Sequence, residues 1–342
     1  MKTVSTEKYY TQRLARQSAD SIVPIPENLI IPPRHLNGIS NEEFIAAFHT
    51  YHSVLRQMYN DIAADPQAFG MVCLDIEESN YKGHRVGPVT KDESKSRKSF
   101  FRLPVLLLDI AHSGEFTSDG SLAVNKIATP AMLEKLCDYG FVTEKLPDKS
   151  AIISYPDDKN VLAVLKAFAV VEHYEKLISA DYRYLLDDTV TFDFDDMLRT
   201  WPNKTDKQVA KIFYEKFAGL GYYVKIEYNI FFGKTRIAPS KSKKEIVYLD
   251  SDRDSVLRIK LRLQNIARYA DKLGELSPNI LNQTLGGSSC GNCGGCKNGI
   301  AFSFRGTNYK KCYVICAGFV YSGFGEQDTE SLTKLIDWEL NS

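Results

Sequence analysis

A helical pattern of apolar and polar residues begins at residue 40. From Phe44 to Ile62 apolar residues recur at steps of three and four, which is the period of a helix with one buried face. Ser40 followed by Glu43 has the form of a capping box, so the pattern predicts a helix beginning at this point. His49 and His52 lie one turn apart in it, and without a third ligand nearby in the sequence they are interpreted as flanking the apolar stripe.

A second patterned region predicts two helices and then a β-hairpin. Residues 104–111 are strongly apolar, and a tight helix is expected to begin at Pro130 and to end at Gly140 in the left-handed cap position. Residues 141–146 and 151–155 then alternate as strands around a short turn. This order of helices, tight helix and hairpin resembles the winged-helix arrangement of DNA-binding proteins, which implies a DNA-binding unit.

The same order recurs further along the chain. Thr205 or Asp206 caps a predicted helix, and residues 224–232 alternate as a strand, with 245–249 as the expected partner strand. The first apolar residues of 255–273 alternate as in a strand. Apolar residues at helical spacing continue much further along the segment, so a helix is predicted. A second helix-and-hairpin unit is therefore expected.

Length and composition place these patterns in a multi-domain α+β protein. With 342 residues the chain exceeds one compact core, and 44% hydrophobic with 25% charged residues is ordinary for a globular protein. Four parts are predicted. Residues 1–99 form a helical N-terminal region that ends in a basic linker from residue 81, and residues 100–180 form a winged-helix-like unit. Residues 181–284 form a second helix-and-hairpin unit with a basic loop, and residues 285–342 form a small Cys-rich zinc module.

Two further patterns bear on where the chain works. The first 20 residues lack the apolar core of a secretion signal, and the most apolar run, 161–171, is 11 residues long and too short to cross a bilayer. We therefore expect a cytoplasmic protein with no membrane partner.

The strongest chemical signal is a cluster of cysteines. Five of the seven cysteines fall within 27 residues, at Cys290, Cys293, Cys296, Cys312 and Cys316. In a reducing compartment such a cluster indicates a metal more often than disulfides, and four thiolates suit tetrahedral Zn²⁺. The glycine-rich turn and the predicted hairpin after it, from Ile300 to Cys316, resemble a zinc ribbon, although the usual second C-x-x-C pair is missing.

Five sulfurs compete for four positions on one ion. If residues 313–315 are extended, Cys312 and Cys316 lie about 13 Å apart, whereas sulfurs on one zinc are about 3.8 Å apart, given bonds of about 2.3 Å. We therefore predict Cys290, Cys293, Cys296 and Cys312 as the ligands, with Cys316 in reserve. A turn at 313–315 would admit Cys316 instead.

An iron–sulfur cluster is the alternative cofactor. C-x2-C-x2-C also begins [4Fe-4S] sites, but those add a fourth cysteine three residues on and then a proline, and residues 297–300 supply neither. Zinc is therefore favoured, and a structural zinc would contribute on the order of 10 kcal/mol to folding of its module.

A basic stretch suggests a nucleic-acid contact. Residues 231–272 hold eleven basic and five acidic side chains, a net of plus six, in a chain whose formal net charge is zero. Much of this charge falls in the connection 233–244, the predicted tip of the second hairpin, where a winged helix touches phosphates. The candidate residues are Lys234, Arg236, Lys241, Lys243, Lys244, Arg258 and Arg262.

Signals for an enzyme are weaker. The sequence holds no P-loop, nucleophile elbow, HExxH or dinucleotide fingerprint, and the acidic group at residues 187–196 is interpreted as a polar loop and a helix N-terminus. Three hypotheses follow: a DNA-binding or regulatory protein with a structural zinc site and double-stranded DNA as partner, a protein–protein adaptor with a zinc module, and an iron–sulfur redox or sensor protein.

Overall fold

The chain forms two compact units, each built from helices and strands. We determined a computed structural model that describes residues 8–75, 91–125, 130–147, 150–172, 177–187, 193–199, 204–229, 234–241, 244–245, 247–251, 257–290, 299–313, 318–325 and 327–342. Residues up to 187 belong to what we call the N-terminal unit and those from 193 to the C-terminal unit. The α+β class is confirmed, and the finer predicted boundaries remain predictions.

The N-terminal unit combines helices with an antiparallel sheet. Its described helices are α1 (Tyr10–Ser21), α2 (Asn41–Ala64), α3 (Lys91–Phe100), α4 (Arg102–Ser113), α5 (Pro130–Cys137), α6 (Asn160–Ala167) and α7 (Arg183–Leu186). Its described strands are β1 (Gly114–Phe116), β2 (Leu122–Val124), β3 (Val142–Lys145) and β4 (Ala151–Ser154), in the order β1-β2-β4-β3 with every pairing antiparallel.

Helix α2 begins and packs as its pattern predicts. The Ser40 hydroxyl accepts a hydrogen bond from the Glu43 amide at 3.2 Å, and the Glu43 carboxylate accepts one from the Ser40 amide at 2.8 Å. His52 is buried on the apolar side, where its Nε2 is 2.9 Å from the carbonyl oxygen of Ala180, whereas His49 is exposed. The two histidines therefore do not converge on one site.

The region from α3 to β4 follows the prediction except at its start. Helix α4 buries most of its apolar residues, α5 buries Leu133 and Leu136, and Gly140 has φ +88°, so this part is confirmed. The predicted linker 81–99 is wrong in its second half. Residues 91–99 lie in α3, where the Ser99 hydroxyl accepts a hydrogen bond from the Val72 amide at 2.9 Å. Residues 81–90 lie outside the described residues.

The C-terminal unit is built on an antiparallel sheet. Its described helices are α8 (Phe194–Arg199), α9 (Lys204–Gly219), α10 (Pro278–Gly286) and α11 (Asp328–Leu340). Its described strands are β5 (Tyr223–Asn229), β6 (Lys234–Lys241), β7 (Lys244–Glu245), β8 (Val247–Ser251), β9 (Leu257–Leu261), β10 (Ile300–Phe304), β11 (Thr307–Lys311) and β12 (Phe319–Tyr321). The sheet order is β12-β9-β8-β6-β5, with β7 paired to β6 and β10–β11 forming a separate hairpin.

One hydrophobic core joins the parts of the C-terminal unit. Phe213 from α9, Ile259 from β9, Phe302 and Phe304 from the hairpin and Leu335 from α11 belong to the same buried cluster. The hairpin that carries Cys312 at its end therefore shares its core with the sheet and with α11.

Helix α11 is also held by a buried carboxylate. Glu339 accepts hydrogen bonds from the backbone amides of Gln264 at 2.8 Å and Asn265 at 3.1 Å, and from the Tyr269 hydroxyl at 2.7 Å. Burial is the main influence on this group and raises the pKa of Glu339. The contact ties the residues after β9 to the end of α11.

The predicted helix over 255–273 is wrong. Leu257–Leu261 is strand β9, and two 3₁₀ helices follow at Ile266–Arg268 and Ala270–Glu275. Leu257, Ile259 and Leu261 are fully buried because β9 pairs with β8 on one side and β12 on the other. Residues 257–261 therefore follow the two-residue period of a β-strand and not the helical spacing.

The predicted second hairpin is also wrong in its pairing. Strand β5 pairs with β6, not with 245–249, and β6 in turn pairs with β8. Residues 234–241 are therefore an internal strand, and Lys241 at its end pairs with Lys244 of β7. The alternation of Thr235, Ile237 and Pro239 on one face of β6 is too weak a pattern to outweigh its lysines.

Candidate functional site

The structure brings the two described cysteines of the cluster onto neighbouring chain segments. Residues 288–290 run antiparallel to the end of β11, with Ser289 opposite Lys311. The Cys290 amide donates to the Lys310 carbonyl at 3.2 Å, and the Cys312 amide donates to the Ser288 carbonyl at 2.8 Å. Cys293, Cys296 and Cys316 lie outside the described residues.

This pairing puts Cys290 and Cys312 on one face. Each is the residue after one member of the bridge pair Ser289–Lys311, so both lie on the face opposite that pair. Diagonal neighbours across antiparallel strands are about 7–8 Å apart, which lets two cysteine side chains approach a common ion. Cys312 is 7% exposed and Cys290 is partly buried.

Gly299 brings a third segment against the same sulfur. Its backbone has φ +64°, and a Cβ there would lie 2.6 Å from the Cys290 Cβ, 2.9 Å from the Cys290 Sγ and 2.8 Å from the Lys311 carbonyl oxygen. A side chain has no room at this position, so the close approach requires glycine. The chain therefore leaves at Cys290 and returns at Gly299 in direct contact with it.

A buried lysine of β11 is hydrogen-bonded to the segment after α10. The Lys311 ammonium donates to the Gly287 carbonyl at 2.7 Å and lies 5.6 Å from the centre of the Tyr309 ring. Ser288 also donates its amide to the Gly318 carbonyl at 3.4 Å, just before β12. The cysteine-bearing segment is thus hydrogen-bonded to the hairpin and to the chain that enters the sheet edge.

The other groups considered as ligands have different roles. Asp193 and Asp196 accept hydrogen bonds from each other's backbone amide, at 2.8 and 2.9 Å, and so cap α8, which confirms the helix N-terminus interpretation. Within the described ranges no three His, Cys, Asp or Glu residues form a metal-binding group, but those ranges hold only two of the five clustered cysteines. The apolar surroundings of Cys73 and Cys137 in the sequence predict two buried thiols, and for Cys137 this prediction is wrong. Its position at the end of α5 leaves it exposed, and Cys73 is partly exposed.

Five of the seven predicted basic residues lie in strands of the C-terminal sheet, and Arg262 follows β9. Lys234, Arg236 and Lys241 are in β6, Lys244 is in β7, and Lys243 is outside the described residues. The backbone register places Arg236 opposite Asp250, and Asp250 opposite Arg258, so these three positions share one face of the sheet. Lys241 lies at the end of β6 on the other face.

Lys260 belongs to this face although it is not among the predicted site residues. Its ammonium is 2.7 Å from the Asp250 carboxylate, whose side chain is 2% exposed. The alternation of Arg258, Lys260 and Arg262 was the signal for it, obscured by the helical interpretation of this segment. On this face, positions 225, 234, 236, 258 and 260 are basic and 227, 245 and 250 acidic, and five minus three gives plus two.

The surface around α5 has a different charge. Glu134 pairs with Lys145 at 2.7 Å and Lys135 with Asp138 at 3.6 Å. Residues 130–154 hold three basic and four acidic residues, so their net charge is minus one. Val142 on edge strand β3 is 54% exposed. This surface offers paired charges and an apolar side chain but no excess of cations.

Comparisons with known proteins identify no relative of this chain. Searches against protein-family models, curated proteins and solved structures found no match to this chain. Of the helices in the described segments, none combines the length and the apolar character needed to cross a membrane.

Proposed function

We propose that the chain is a cytoplasmic regulatory protein that binds double-stranded DNA through the basic face of the C-terminal sheet. The observation that carries this proposal is the shared face of Lys234, Arg236, Arg258 and Lys260, with its net charge of plus two. Lysine and arginine contacts to phosphates supply most of the non-specific affinity for DNA, and several DNA-binding proteins use strands in a groove. Arg262, directly after β9, extends the same alternating row.

The N-terminal unit supports a regulatory role through its order of elements. Helix α4, the short helix α5 and the hairpin β3–β4 follow one another in the order that the winged-helix resemblance implies. Because residues 130–154 have a net charge of minus one, we assign the phosphate contacts to the C-terminal sheet face and not to α5.

The test is a charge-matched pair of variants in the C-terminal unit. Lys234→Gln with Arg258→Gln removes two cations from positions that share the sheet face. Lys211→Gln with Lys334→Gln removes two from helix surfaces, where each lysine has a glutamate one turn away, at 3.9 and 2.9 Å. Binding of duplex DNA is measured at several salt concentrations with each full chain.

The sheet-face variant is expected to bind DNA at least about tenfold more weakly, with the salt slope reduced by about 1.8, or about 0.9 per lost phosphate contact. The helix-surface variant is expected to bind like the wild type. Equal losses in both variants would show that only total charge matters, and a wild-type chain without affinity for DNA would refute the proposal.

A protein–protein adaptor is the second candidate, and the α5 surface favours it. Val142, exposed on an edge strand, and the exposed Glu134–Lys145 pair offer apolar and polar contacts that do not suit phosphates. This candidate requires a wild-type chain without DNA affinity and a partner whose recovery is abolished by Val142→Lys. Recovery of the same partner with Val142→Lys would refute it.

A further inference from the structure

The proline-rich loop between α1 and α2 presents one isoleucine to solvent. Ile30 is 76% exposed, more than any other large hydrophobic side chain in the described part of the chain, while Leu29 and Ile31 on either side are 7% and 1% exposed. This alternation of buried, exposed and buried side chains is that of an extended segment with one face on the core. Ile30 therefore belongs to a packed segment and not to a loose loop tip.

The side chain of Asn41 holds this segment with both of its amide atoms. The Asn41 Oδ1 accepts a hydrogen bond from the Ile31 amide at 2.8 Å, and the Asn41 Nδ2 donates one to the Leu29 carbonyl at 3.0 Å. One carboxamide can bind both groups because they point to the same edge of an extended chain, as they do in a β-bridge. Asn41 is the first residue of α2, so the segment is fixed to that helix.

The opposite edge of the segment is open to pairing. In an extended chain the polar groups of successive residues point to opposite edges, so the amide and carbonyl of Ile30 point away from Asn41. Neither group has a hydrogen-bond partner among the described residues. Pro26, Pro32 and Pro33 fix φ around this edge, which lowers the entropy lost when it is bound. Ile30 thus combines one donor, one acceptor and an apolar side chain in a preorganised position.

We propose that this edge pairs with the same edge of a second copy of the chain, with Ile30 facing Ile30 across a two-fold axis. Two residues that face each other in a hydrogen-bonded antiparallel pair exchange both of their backbone bonds, so a single residue can pair with its own copy. The pairing forms two amide-to-carbonyl hydrogen bonds and buries the two isoleucine side chains against each other.

The charges on either side of Ile30 favour a second copy in this orientation. Glu27 precedes Ile30 by three residues and Arg34 follows it by four. Both side chains are exposed, and neither forms an ion pair within the described ranges. Antiparallel pairing places Glu27 of each copy on the side of Arg34 of the other copy, whereas parallel pairing would place like charges together. The edge is therefore complementary to itself in charge as well as in hydrogen bonding.

The expected dimer is weak and independent of the DNA-binding proposal. Two isoleucines, one backbone bridge and two exposed ion pairs make a small contact, of the kind found in transient complexes. The contact lies in the N-terminal unit and shares no residue with the basic sheet face. Either proposal can therefore fail without the other.

Sedimentation of the full chain over a range of concentrations measures the association. The wild type is expected to be monomeric at about 10 μM and substantially dimeric towards about 1 mM, the range in which weak contacts are populated. Ile30→Ser is expected to weaken dimerisation at least about tenfold, because it removes the apolar contact from both copies. Val170→Ser changes another exposed apolar residue of the same unit, 45% exposed, and is expected to dimerise like the wild type.

A charge exchange tests the orientation of the two copies. Glu27→Arg alone and Arg34→Glu alone are each expected to weaken dimerisation at least about fivefold, because two attractive pairs become repulsive. An equimolar mixture of these two variants is expected to associate as strongly as the wild type, because every arginine then faces a glutamate. Recovery in the mixture also shows that both variants are folded.

Four results would overturn the inference. A wild type that stays monomeric at about 1 mM excludes the dimer. A dimer that Ile30→Ser leaves unchanged has its contact elsewhere. A mixture of Glu27→Arg with Arg34→Glu that associates no better than either variant alone excludes the antiparallel pairing. A monomeric wild type that binds a different protein through Ile30 assigns the surface to that protein.

Discussion

Alanine at position 299 should be much more costly than alanine at position 306. Both glycines have left-handed backbones, with φ +64° at Gly299 and +79° at Gly306 in the turn between β10 and β11. An alanine in this region costs about 1–2 kcal/mol at either position. The two substitutions therefore carry the same free-energy cost from the left-handed backbone conformation.

The surroundings of the two positions differ. A Cβ on Gly306 meets no atom within 4 Å, whereas one on Gly299 would lie 2.6 Å from the Cys290 Cβ and 2.8 Å from the Lys311 carbonyl oxygen. Neither neighbour is the free end of a flexible side chain, so the backbone must move. Such overpacking costs about 1–3 kcal/mol more, which is the expected difference in unfolding free energy between Gly299→Ala and Gly306→Ala.

Urea unfolding at a fixed zinc concentration measures this difference. Both tryptophans of the chain, at 201 and 338, fall in the residue range of the C-terminal unit, so their fluorescence reports its unfolding. If the two variants agree within about 0.5 kcal/mol, the limit within which independent effects usually add, then Gly299 does not approach Cys290.

Two pH dependences follow from buried groups. Burial lowers the pKa of His52 from 6.5 to about 4. Between these two pH values His52 is protonated in the unfolded chain and neutral in the folded chain. Unfolding free energy of the N-terminal unit should fall by on the order of 3 kcal/mol as the pH drops through this range. In urea titrations at several pH values, His52→Gln should lack this loss and exposed His49→Gln should keep it; a loss that persists in His52→Gln contradicts the assignment. The raised pKa of Glu339 has the opposite sign, because a carboxyl that keeps its proton in the folded state stabilises the fold below about pH 4.5 and loses that contribution as the pH rises through the raised value. Glu339→Gln should flatten this decline in tryptophan-monitored unfolding, and an unchanged decline would exclude Glu339 as its source.

The elements predicted correctly from sequence are those with local signals at both ends. Helix α2 has a capping box and a stripe of apolar residues, and α5 has Pro130 at its start and Gly140 after its end. Such signals act within a few residues, so no knowledge of the rest of the fold is needed. The hairpin β10–β11 was predictable for the same reason, since Arg305 and Gly306 both take positive φ in its tight turn.

The failures lie where distant partners decide the structure. Leu257, Ile259 and Leu261 satisfy two periods at once, and only pairing with β8 and β12 selects the strand. In β6 the lysines resembled a loop, although the strand is internal to the sheet. Propensity is a weak prior against such tertiary contacts.

The zinc site stays a prediction, and the geometry around its two described cysteines could not be predicted from sequence. Spacing predicts which cysteines are ligands, but it could not show that Ser288–Cys290 pairs with Lys310–Cys312, since that pairing joins segments 22 residues apart. Gly299 was the overlooked signal. A glycine directly before the apolar strand Ile300–Phe304 indicates a close backbone approach.

The long reach of Glu339 has a consequence for synthesis on the ribosome. Its carboxylate caps backbone amides 74 and 75 residues earlier, and β12 pairs with β9 across a gap of similar scale. The sheet therefore lacks its edge strand β12 and the buried acceptor Glu339 until residues 319–339 have emerged from the exit tunnel. A nascent chain stalled before that point would expose β9 as an unprotected edge, open to chaperones and to neighbouring copies.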